Sequence, residues 1–232
     1  TFDSGGFTVG TYGDVNTNLE TYVSWNWKAG TTSVPSGGTI TPSAVSINTT
    51  SGFGIYRYTG TGSNGTIAHG LGTAPKLVIG KRMVGSTGDW NSWHTALTSG
   101  TYYINLNAVS GETGWTTTVY TAKPTSTVIN LGTYAGVNQS THTYLIYAFA
   151  PVKGYSSFGS YVGTANADGP FIYTGFRPAM IIIKNINGQA WNMWDNKRNP
   201  SNLTQKNIQP NVATAENSGS APASQVLDML SN

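Results

Sequence analysis

The sequence contains no cysteine, so neither disulfide bonds nor thiolate metal sites can hold the chain together. Charged residues make up only 9% of its 232 residues, well below the ~25% of an average soluble domain. Apolar runs such as residues 179–183 are far shorter than the roughly 20 residues of a membrane-spanning helix. We therefore expect a chain that is stabilised by packing and is not inserted in a membrane.

Charge of either sign is too scarce to define a charged partner. The 12 Lys and Arg residues exceed the 9 Asp and Glu residues by a net charge of +3, which cannot supply the basic stripe that binds nucleic acid. The 29 Gly and 10 Pro residues, with 12% aromatic residues, are typical of β-structure with many turns. The neutral surface of Thr, Ser, Asn and Gly favours a protein that works outside the cell.

An internal repeat runs along the chain. Residues 10–16 return at 132–138, an offset of 122, and residues 21–27 return at 143–149 in the same register. The offset then falls to 102, because residues 31–51 have no counterpart in the second copy. The later matches pair residues 58–61 with 161–164, 74–81 with 177–184, and the Trp-Asn-x-Trp motif at 90–93 with that at 191–194.

The repeat predicts four segments. Residues 1–30 are interpreted as the end strands of a preceding module leading into the first, and residues 31–51 as a Thr/Ser/Pro/Gly-rich linker or loop. Residues 52–153 are expected to form the first full β module. Residues 154–232 are expected to form a second β module that is truncated at its C-terminal end.

Apolar patterning predicts strands throughout. Residues 21–27 alternate as a half-buried strand does, and the more uniformly apolar residues 143–149 indicate a strand at the centre of a sheet. Short β-branched runs follow proline at 77–79 and 180–183, and Asn-Gly at 187–188 indicates a hairpin. We predict an all-β fold with two tandem antiparallel β-sandwich, jelly-roll-like modules. Helical spacing is a possibility only at 223–230.

Residues suited to catalysis are few. His69, His94 and His142 do not lie at metal-ligand spacings, and nucleophile elbows, Walker loops and HExxH motifs do not occur. No carboxylate pair of the kind that glycoside hydrolysis needs recurs between the copies. We predict no catalytic residue, no metal, no cofactor and no enzyme activity, unless another subunit or further sequence completes a site.

The Trp-Asn-x-Trp motifs have two interpretations. In the first, one indole of each pair fills the core and the other covers a neighbouring surface; in the second, the indoles form a stacking platform for sugar rings. Trp115 has no counterpart in the second copy and is the stronger candidate for specific binding. His69 is a loop residue for which a structural role is favoured. The candidate ligand-binding residues are Trp115, His69, Trp90, Trp93, Trp191 and Trp194.

Asp168 and Arg177 stand in a Gly- and Pro-rich stretch that precedes a predicted strand. A ligand site is conceivable there, but we favour a pairing of the two side chains that fixes the loop.

Residues 22–30, 58–62, 69–76, 154–161 and 168–179 together resemble a repeated domain of unknown function. That domain is similar to parts of large virion and tail-fibre-like proteins of marine and cyanobacterial phages. The resemblance implies a place on the exterior of a virus particle, beside other virion proteins. It also favours a homo-oligomer, with a trimer as the expected state, since fibre proteins are commonly trimeric.

Two functions are therefore expected, and a third is weighed. The chain is a structural component of a bacteriophage particle, as a tail-fibre or appendage module that contributes to attachment to host-surface glycan. Alternatively it is a purely architectural spacer or decoration protein that binds no ligand. A depolymerase would need clustered carboxylates, which the sequence does not provide.

Overall fold

The computed structural model describes residues 2–3, 5–85, 88–114, 118–166, 168–199, 203–216 and 227–230. The fold is all-β with antiparallel pairing, as predicted, apart from two helical turns, α1 (Gly13–Asn16) and α2 (Ala135–Asn138). The strands are β1 (Phe2–Asp3), β2 (Gly6–Phe7), β3 (Ala44–Asn48), β4 (Phe53–Thr59), β5 (Gly65–Ala68), β6 (Leu77–Arg82), β7 (Asn91–His94), β8 (Ile104–Asn105), β9 (Val128–Leu131), β10 (Thr143–Phe149), β11 (Met180–Ile183) and β12 (Asn192–Asp195).

Six of these strands form one sheet in the order β3-β4-β10-β6-β7-β8. Strand β10 lies inside the sheet, paired with β4 on one side and β6 on the other, although it is the last of the six strands along the chain. Strands β5 and β9 form a separate ribbon. Together the sheet and the ribbon make up the central unit, residues 31–150, which contains most of the hydrophobic core.

The burial pattern of β10 shows which face of the sheet is the core face. Tyr144, Ile146 and Ala148 are fully buried, whereas the residues between them are partly exposed. The ribbon contributes Ile67, Ile129 and Leu131 to the same core, where burial of each large side chain is worth about 2 kcal/mol. The opposite face of the sheet, here called the outer face, stays partly open to solvent.

Several strand predictions are confirmed. Strand β10 has the predicted bounds, as does β11, and residues 77–79 lie within β6. β11 and β12 form the hairpin that Asn187 and Gly188 indicated, and Gly188 has a φ of 129°, which favours glycine. The apolar sequence of β10 agrees with its position inside the sheet. Strands that are covered on both faces have nearly continuous apolar sequences.

The interpretation of residues 31–51 as a linker or loop is wrong for residues 44–48. This segment contains β3, an edge strand that pairs with β4, and it buries Ile40, Val45 and Ile47 in the core. The alternation of apolar and polar residues around Val45 and Ile47 is short. It is surrounded by Thr, Ser and Pro residues, so the composition of the segment concealed the strand. The structure therefore places the N-terminal edge of the central unit near residue 31 rather than 52.

The predicted strand at residues 21–27 is also absent. These residues are extended, largely exposed and outside any ladder, although they align with β10. The reason lies in the surroundings, since β10 is held by β4 and β6 on its two sides. Nothing in the described part of the chain offers residues 21–27 such neighbours.

Local hydrogen bonds nevertheless repeat between the two aligned segments. Tyr144 Oη donates to Ala135 O at 2.6 Å and accepts from Gln139 N at 2.9 Å, which ties α2 to β10. Tyr22 Oη makes the same pair of bonds to Gly13 O and Thr17 N, at 2.8 and 2.9 Å. The two helical turns are therefore held by one tyrosine clamp in two copies.

Asparagine side chains repeat in the same register. Asn138 Nδ2 donates to Gly132 O at 2.8 Å, and Asn16 Nδ2 donates to Gly10 O at 2.7 Å. Each pair stands 122 residues from its counterpart, which is the sequence offset.

The C-terminal copy is represented mainly by the β11–β12 hairpin. Ile181 faces Trp194 across it as Val78 faces Trp93 across β6 and β7. Ile208 then bridges Met193, much as β8 pairs with β7. In the described residues between 154 and 179 there is no strand, so the predicted second β module is only partly formed.

Two smaller predictions fall near the C-terminus. Residues 223–226 lie outside the described residues, and residues 227–230 are not helical; Leu227 bridges Thr204 instead. None of the described helices is long and apolar enough to cross a membrane.

Candidate functional site

An aromatic patch lies on the outer face of the central sheet. Trp90, directly before β7, stacks on Tyr147 of β10 with ring centroids 6.2 Å apart and planes inclined by 23°. Lys81 Nζ lies 5.5 Å from the centre of the Trp90 ring, within cation–π range, and also donates to Gly88 O. All three side chains are partly exposed, so this set, here called the Trp90 patch, is open to solvent.

A carboxylate and two amides fix the backbone beside the Trp90 patch. Asp89 accepts hydrogen bonds from Asn105 Nδ2 at 3.1 Å and from Asn107 Nδ2 at 3.0 Å. Asn107 Oδ1 in turn accepts from Trp90 N at 2.9 Å. Because Asp89 and Asn107 are exposed, the patch combines a flat aromatic surface with acceptors and donors at its rim.

Trp93 points away from this patch. It is on the core face of β7, 2% exposed, and belongs to the main core cluster. Positions 90 and 93 of a strand face opposite sides of a sheet. The first interpretation of the motif thus describes Trp90 and Trp93 correctly in geometry, with one indole inside and one on the surface.

Both tryptophans of the second motif are buried. Trp191 packs into the core cluster of the central unit and donates from Nε1 to Asn105 O at 3.1 Å. Lys184 Nζ lies 5.9 Å from its ring centre, as Lys81 does for Trp90. Trp194 is 8% exposed. Trp191 therefore attaches the C-terminal segment to β8 and offers no open face to a ligand.

His69 is buried at the end of β5. Its Nδ1 accepts from Leu71 N at 3.1 Å, so Nε2 is the nitrogen that carries the proton and donates to Thr125 O at 3.1 Å. Burial lowers the pKa of His69, partly offset by the bond to Thr125. Tyr56 Oη donates to the His69 carbonyl at 2.5 Å. The ring thus links two loops and has no nitrogen left for a ligand. Trp115 lies outside the described residues.

An ion cluster uses two carboxylates near the C-terminus. Arg198, itself buried, is 2.7 Å from Asp195 and 3.2 Å from Glu216, and Lys206 lies 3.3 Å from Glu216. Burial alone would raise the pKa of Asp195, but hydrogen bonds from Arg198 and from the N–H of Lys197 outweigh it and hold the pKa below its usual value. These groups serve the local structure.

The expected pairing of Asp168 with Arg177 is not formed. Arg177 Nε donates to Met229 O at 3.1 Å, which ties the segment before β11 to the end of the described chain. Asp168 N bonds to Asn166 Oδ1 at 3.2 Å within its own turn.

Metal ligands do not converge in the part of the chain that the structure describes: no group of three His, Cys, Asp or Glu side chains lies there that could hold an ion. The Trp90 patch is aromatic and partly exposed. Chemically it can stack against a flat apolar ring face and exchange hydrogen bonds at its rim.

Comparison with known proteins gives one assignment. The family model described as a domain of unknown function, DUF7483, matches residues 1–232. The chain belongs to this family. No curated protein matches the chain, and no solved structure matches it. The family match therefore covers the sequence of the whole chain and assigns no function to it.

Two members of the Trp90 patch were missed by the sequence reasoning. Tyr147 is an outward-facing residue of β10, but the uniformly apolar sequence of that strand conceals which residues face outward. Lys81 had a usable signal, because a lysine stands at the end of the aligned segment in both copies, as Lys81 and Lys184. A lysine that recurs beside a recurrent tryptophan indicates a cation–π pair.

Proposed function

We propose that this chain is a module on the exterior of a bacteriophage particle, in a tail fibre or other appendage, and that it contributes to attachment to host-surface glycan. The observation that carries the glycan role is the Trp90 patch, a partly exposed stack of Trp90 on Tyr147 with Lys81 beside it. The resemblance to virion and tail-fibre-like proteins supports the phage setting.

Glycan suits this patch for physical reasons. The flat C–H face of a pyranose packs on an indole, and its hydroxyls need nearby donors and acceptors. Asp89, Asn107 and Lys81 supply such groups around Trp90. A site built on one partly exposed aromatic stack favours weak binding at each copy, which an appendage with several copies would strengthen through avidity.

A purely architectural role is the second candidate, and three of the four motif tryptophans favour it. Trp93, Trp191 and Trp194 are buried. Trp191 moreover fastens the C-terminal segment to the central unit through Asn105 O. A spacer or decoration protein would need only these packing contacts.

Tandem β-sandwich modules form part of the proposal. The repeated tyrosine clamps and the matching register of the two hairpins support one module present in two copies. A homotrimer, assembled beside other virion proteins, is also proposed. Large exposed apolar side chains in the terminal segments support contacts with other chains: Tyr12, Leu19, Val162, Phe171 and Tyr173.

Glycan arrays and adsorption to host cells test the attachment role. We expect the chain to bind, and Trp90→Ala to weaken binding by about tenfold, because one stacking contact is worth about 1 kcal/mol or more. Tyr155→Ala removes an exposed aromatic residue outside both the patch and the side chains proposed to contact other chains, and it is the matched control, with binding unchanged. An absence of binding by the unaltered chain would favour the architectural role.

A further inference from the structure

The outer face of the central sheet carries two cations in one row across the strands. Leu145 of β10 pairs with Lys81 of β6 on one side and with Arg57 of β4 on the other. Residues that stand opposite each other on neighbouring strands point to the same side of a sheet, so all three side chains lie on the outer face. Two strand spacings separate the backbones of Lys81 and Arg57 by about 10 Å. These three residues, here called the cation row, place a positive charge on each side of one apolar side chain.

Carboxylates on the same face do not balance these cations. Lys81 and Arg57 are the only charged residues at the outward-facing positions of β3, β4, β6 and β10. In the part of the chain that the structure describes, the ion pairs involve neither of them. Arg57 is exposed and Lys81 is partly exposed. The cation row therefore carries positive charge that solvent, and a ligand in solvent, can reach.

Asp89, the carboxylate at the rim of the Trp90 patch, lies on the other side of Trp90 from the cation row. Its two oxygens accept hydrogen bonds from Asn105 of β8 and from Asn107, which follows β8. The sheet order separates this edge from β4 by β7, β6 and β10. Three spacings from β7 to β4 are about 14 Å, which exceeds the screening length of about 8 Å at physiological salt. The negative charge of Asp89 therefore offsets little of the positive charge at Arg57.

Aromatic side chains of the same chain already occupy the other end of the outer face. Trp27 packs against Phe53 and Phe149, with ring centroids 6.4 and 5.8 Å apart. Phe53 is only 4% exposed, although it lies on the outer face. The ring of Phe158 lies 6.4 Å from that of His94, at the end of β7. The part of the face that stays open consists of the Trp90 patch and the cation row beside it.

We propose that the glycan bound at the Trp90 patch is an acidic one, with a sugar ring on Trp90 and carboxylate or sulfate groups paired with Lys81 and Arg57. This inference rests on the proposed attachment role and names the class of glycan. A guanidinium such as that of Arg57 can donate two parallel hydrogen bonds to a carboxylate or a sulfate. Lys81 Nζ uses one donor on Gly88 O, which leaves two of its three donors for a ligand. A neutral glycan would gain nothing from either charge.

A glycan array tests the proposal when each acidic polysaccharide is printed beside its own neutral form. Uronic acid polymers are paired with the same polymers after reduction of their carboxyl groups to alcohols, and sulfated polymers with their desulfated forms. We expect the acidic form to bind about tenfold more tightly than its neutral partner, because two exposed ion pairs are lost with the charge. Raising the salt concentration to about 0.5 M should remove most of this preference, because the screening length falls below about 5 Å. The two kinds of pair show whether carboxylate or sulfate is the group recognised.

Variants of Arg57 separate the cation row from the aromatic stack. Arg57→Gln should weaken binding of the acidic form about fivefold and leave the neutral form unchanged, because one exposed ion pair is lost. Arg57→Lys keeps the charge and should retain most of the binding, whereas Trp90→Ala should weaken both forms equally. Lys123→Gln is the matched control: Lys123 is exposed, and its carbonyl accepts from Asn130 of β9, in the ribbon on the opposite side of the sheet. It removes an equal charge and should leave binding of both forms unchanged.

The possible outcomes distinguish this inference from the attachment role itself. Equal binding of acidic and neutral forms, with Arg57→Gln behaving as the unaltered chain does, would overturn the preference for acidic glycan and leave glycan attachment in place. Binding of no glycan in either form would overturn both. A polyglutamate chain should not displace the acidic glycan at equal carboxylate concentration, because it has no sugar ring to stack on Trp90. Displacement by polyglutamate, or an equal loss of binding in Lys123→Gln and Arg57→Gln, would mean that net charge alone attracts the polymer, and the proposal would be wrong.

Discussion

Two tyrosines hold two helical turns by the same hydrogen bonds, yet Tyr144 is fully buried and Tyr22 is 45% exposed. The local sequence around each turn is therefore sufficient for the clamp, whereas the strand that follows depends on neighbours. Residues 143–149 become β10 because β4 and β6 lie on either side. Residues 21–27 remain extended and largely exposed, with the Trp27 ring packed against Phe53 and Phe149. In this chain, the helical turn forms from local sequence, and burial depends on the strands that surround it.

The largest expected effect comes from giving the central unit the side chains that stand at the aligned positions of the other copy. Ile146→Ser should lower the free energy of unfolding of the central unit by about 3–5 kcal/mol, since it leaves a cavity and buries a hydroxyl. Gly80→Ile should cost about 1–3 kcal/mol, because the new side chain meets Val137 and Tyr120. Urea unfolding followed by circular dichroism measures both.

The double variant tests whether the side chains at positions 146 and 80 pack against each other as a pair. Ile146→Ser with Gly80→Ile should cost less than the sum of the single changes by about 1 kcal/mol or more, because the added side chain fills part of the cavity. Ile79→Val, on the outer face of the same strand, is the control and should cost less than about 1 kcal/mol. Additive costs would mean that the side chains at positions 146 and 80 do not share one packing space.

Removing the clamp hydroxyl from each copy gives a smaller effect. Tyr144→Phe should lower the free energy of unfolding by about 1–3 kcal/mol, because Ala135 O and Gln139 N lose their partner within the folded unit. Tyr22→Phe is the matched change in the exposed copy and should leave the melting temperature unchanged, because water replaces the lost bonds. Equal effects would mean that residues 10–27 are as well packed as 132–149.

Much of the fold was predictable because strands with a continuous apolar sequence are easy to recognise. The bounds of β10 and β11 followed from their apolar sequence and the preceding proline or turn. The internal repeat aligned two segments of the sequence, and the structure shows the same hydrogen bonds in both. Two errors have opposite causes: β3 was hidden by its Thr- and Ser-rich surroundings, and residues 21–27 had strand sequence without neighbours. Pairing is a property of the whole fold.

The candidate site was less predictable from sequence. The spacing of Trp90 and Trp93 correctly placed their indoles on opposite faces, but not which of them faced the core. Tyr147 comes from a strand 57 residues after Trp90 (147 − 90), so only the sheet order brings them together. Trp191, the counterpart of Trp90, is covered because the hairpin docks on β8.

The smallest predicted effect concerns pH and again separates the two regions. Burial lowers the pKa of His69 and of His94 in the central unit below the ordinary value of 6.5. The unfolded chain therefore takes up protons first as pH falls, and the central unit loses stability below about pH 6.5 until the folded-state pKa is reached. The loss is at most about 1.4 kcal/mol per pH unit for each histidine.

The β11–β12 hairpin should not respond in this range. Its Asp195 has a pKa held below the ordinary 3.8 by Arg198, so that contribution is complete above this value and is lost only as pH falls through the lowered pKa. Urea midpoints of the central unit should therefore fall between about pH 7 and about pH 5, and His69→Asn, which keeps an acceptor for Leu71 N, should show a shallower fall. Hydrogen exchange of β12 amides, corrected for the intrinsic pH dependence, should show no matching loss of protection. If the His69→Asn variant kept the full pH dependence, the buried neutral imidazole would not be its source, and the difference between the two regions would have to come from other groups.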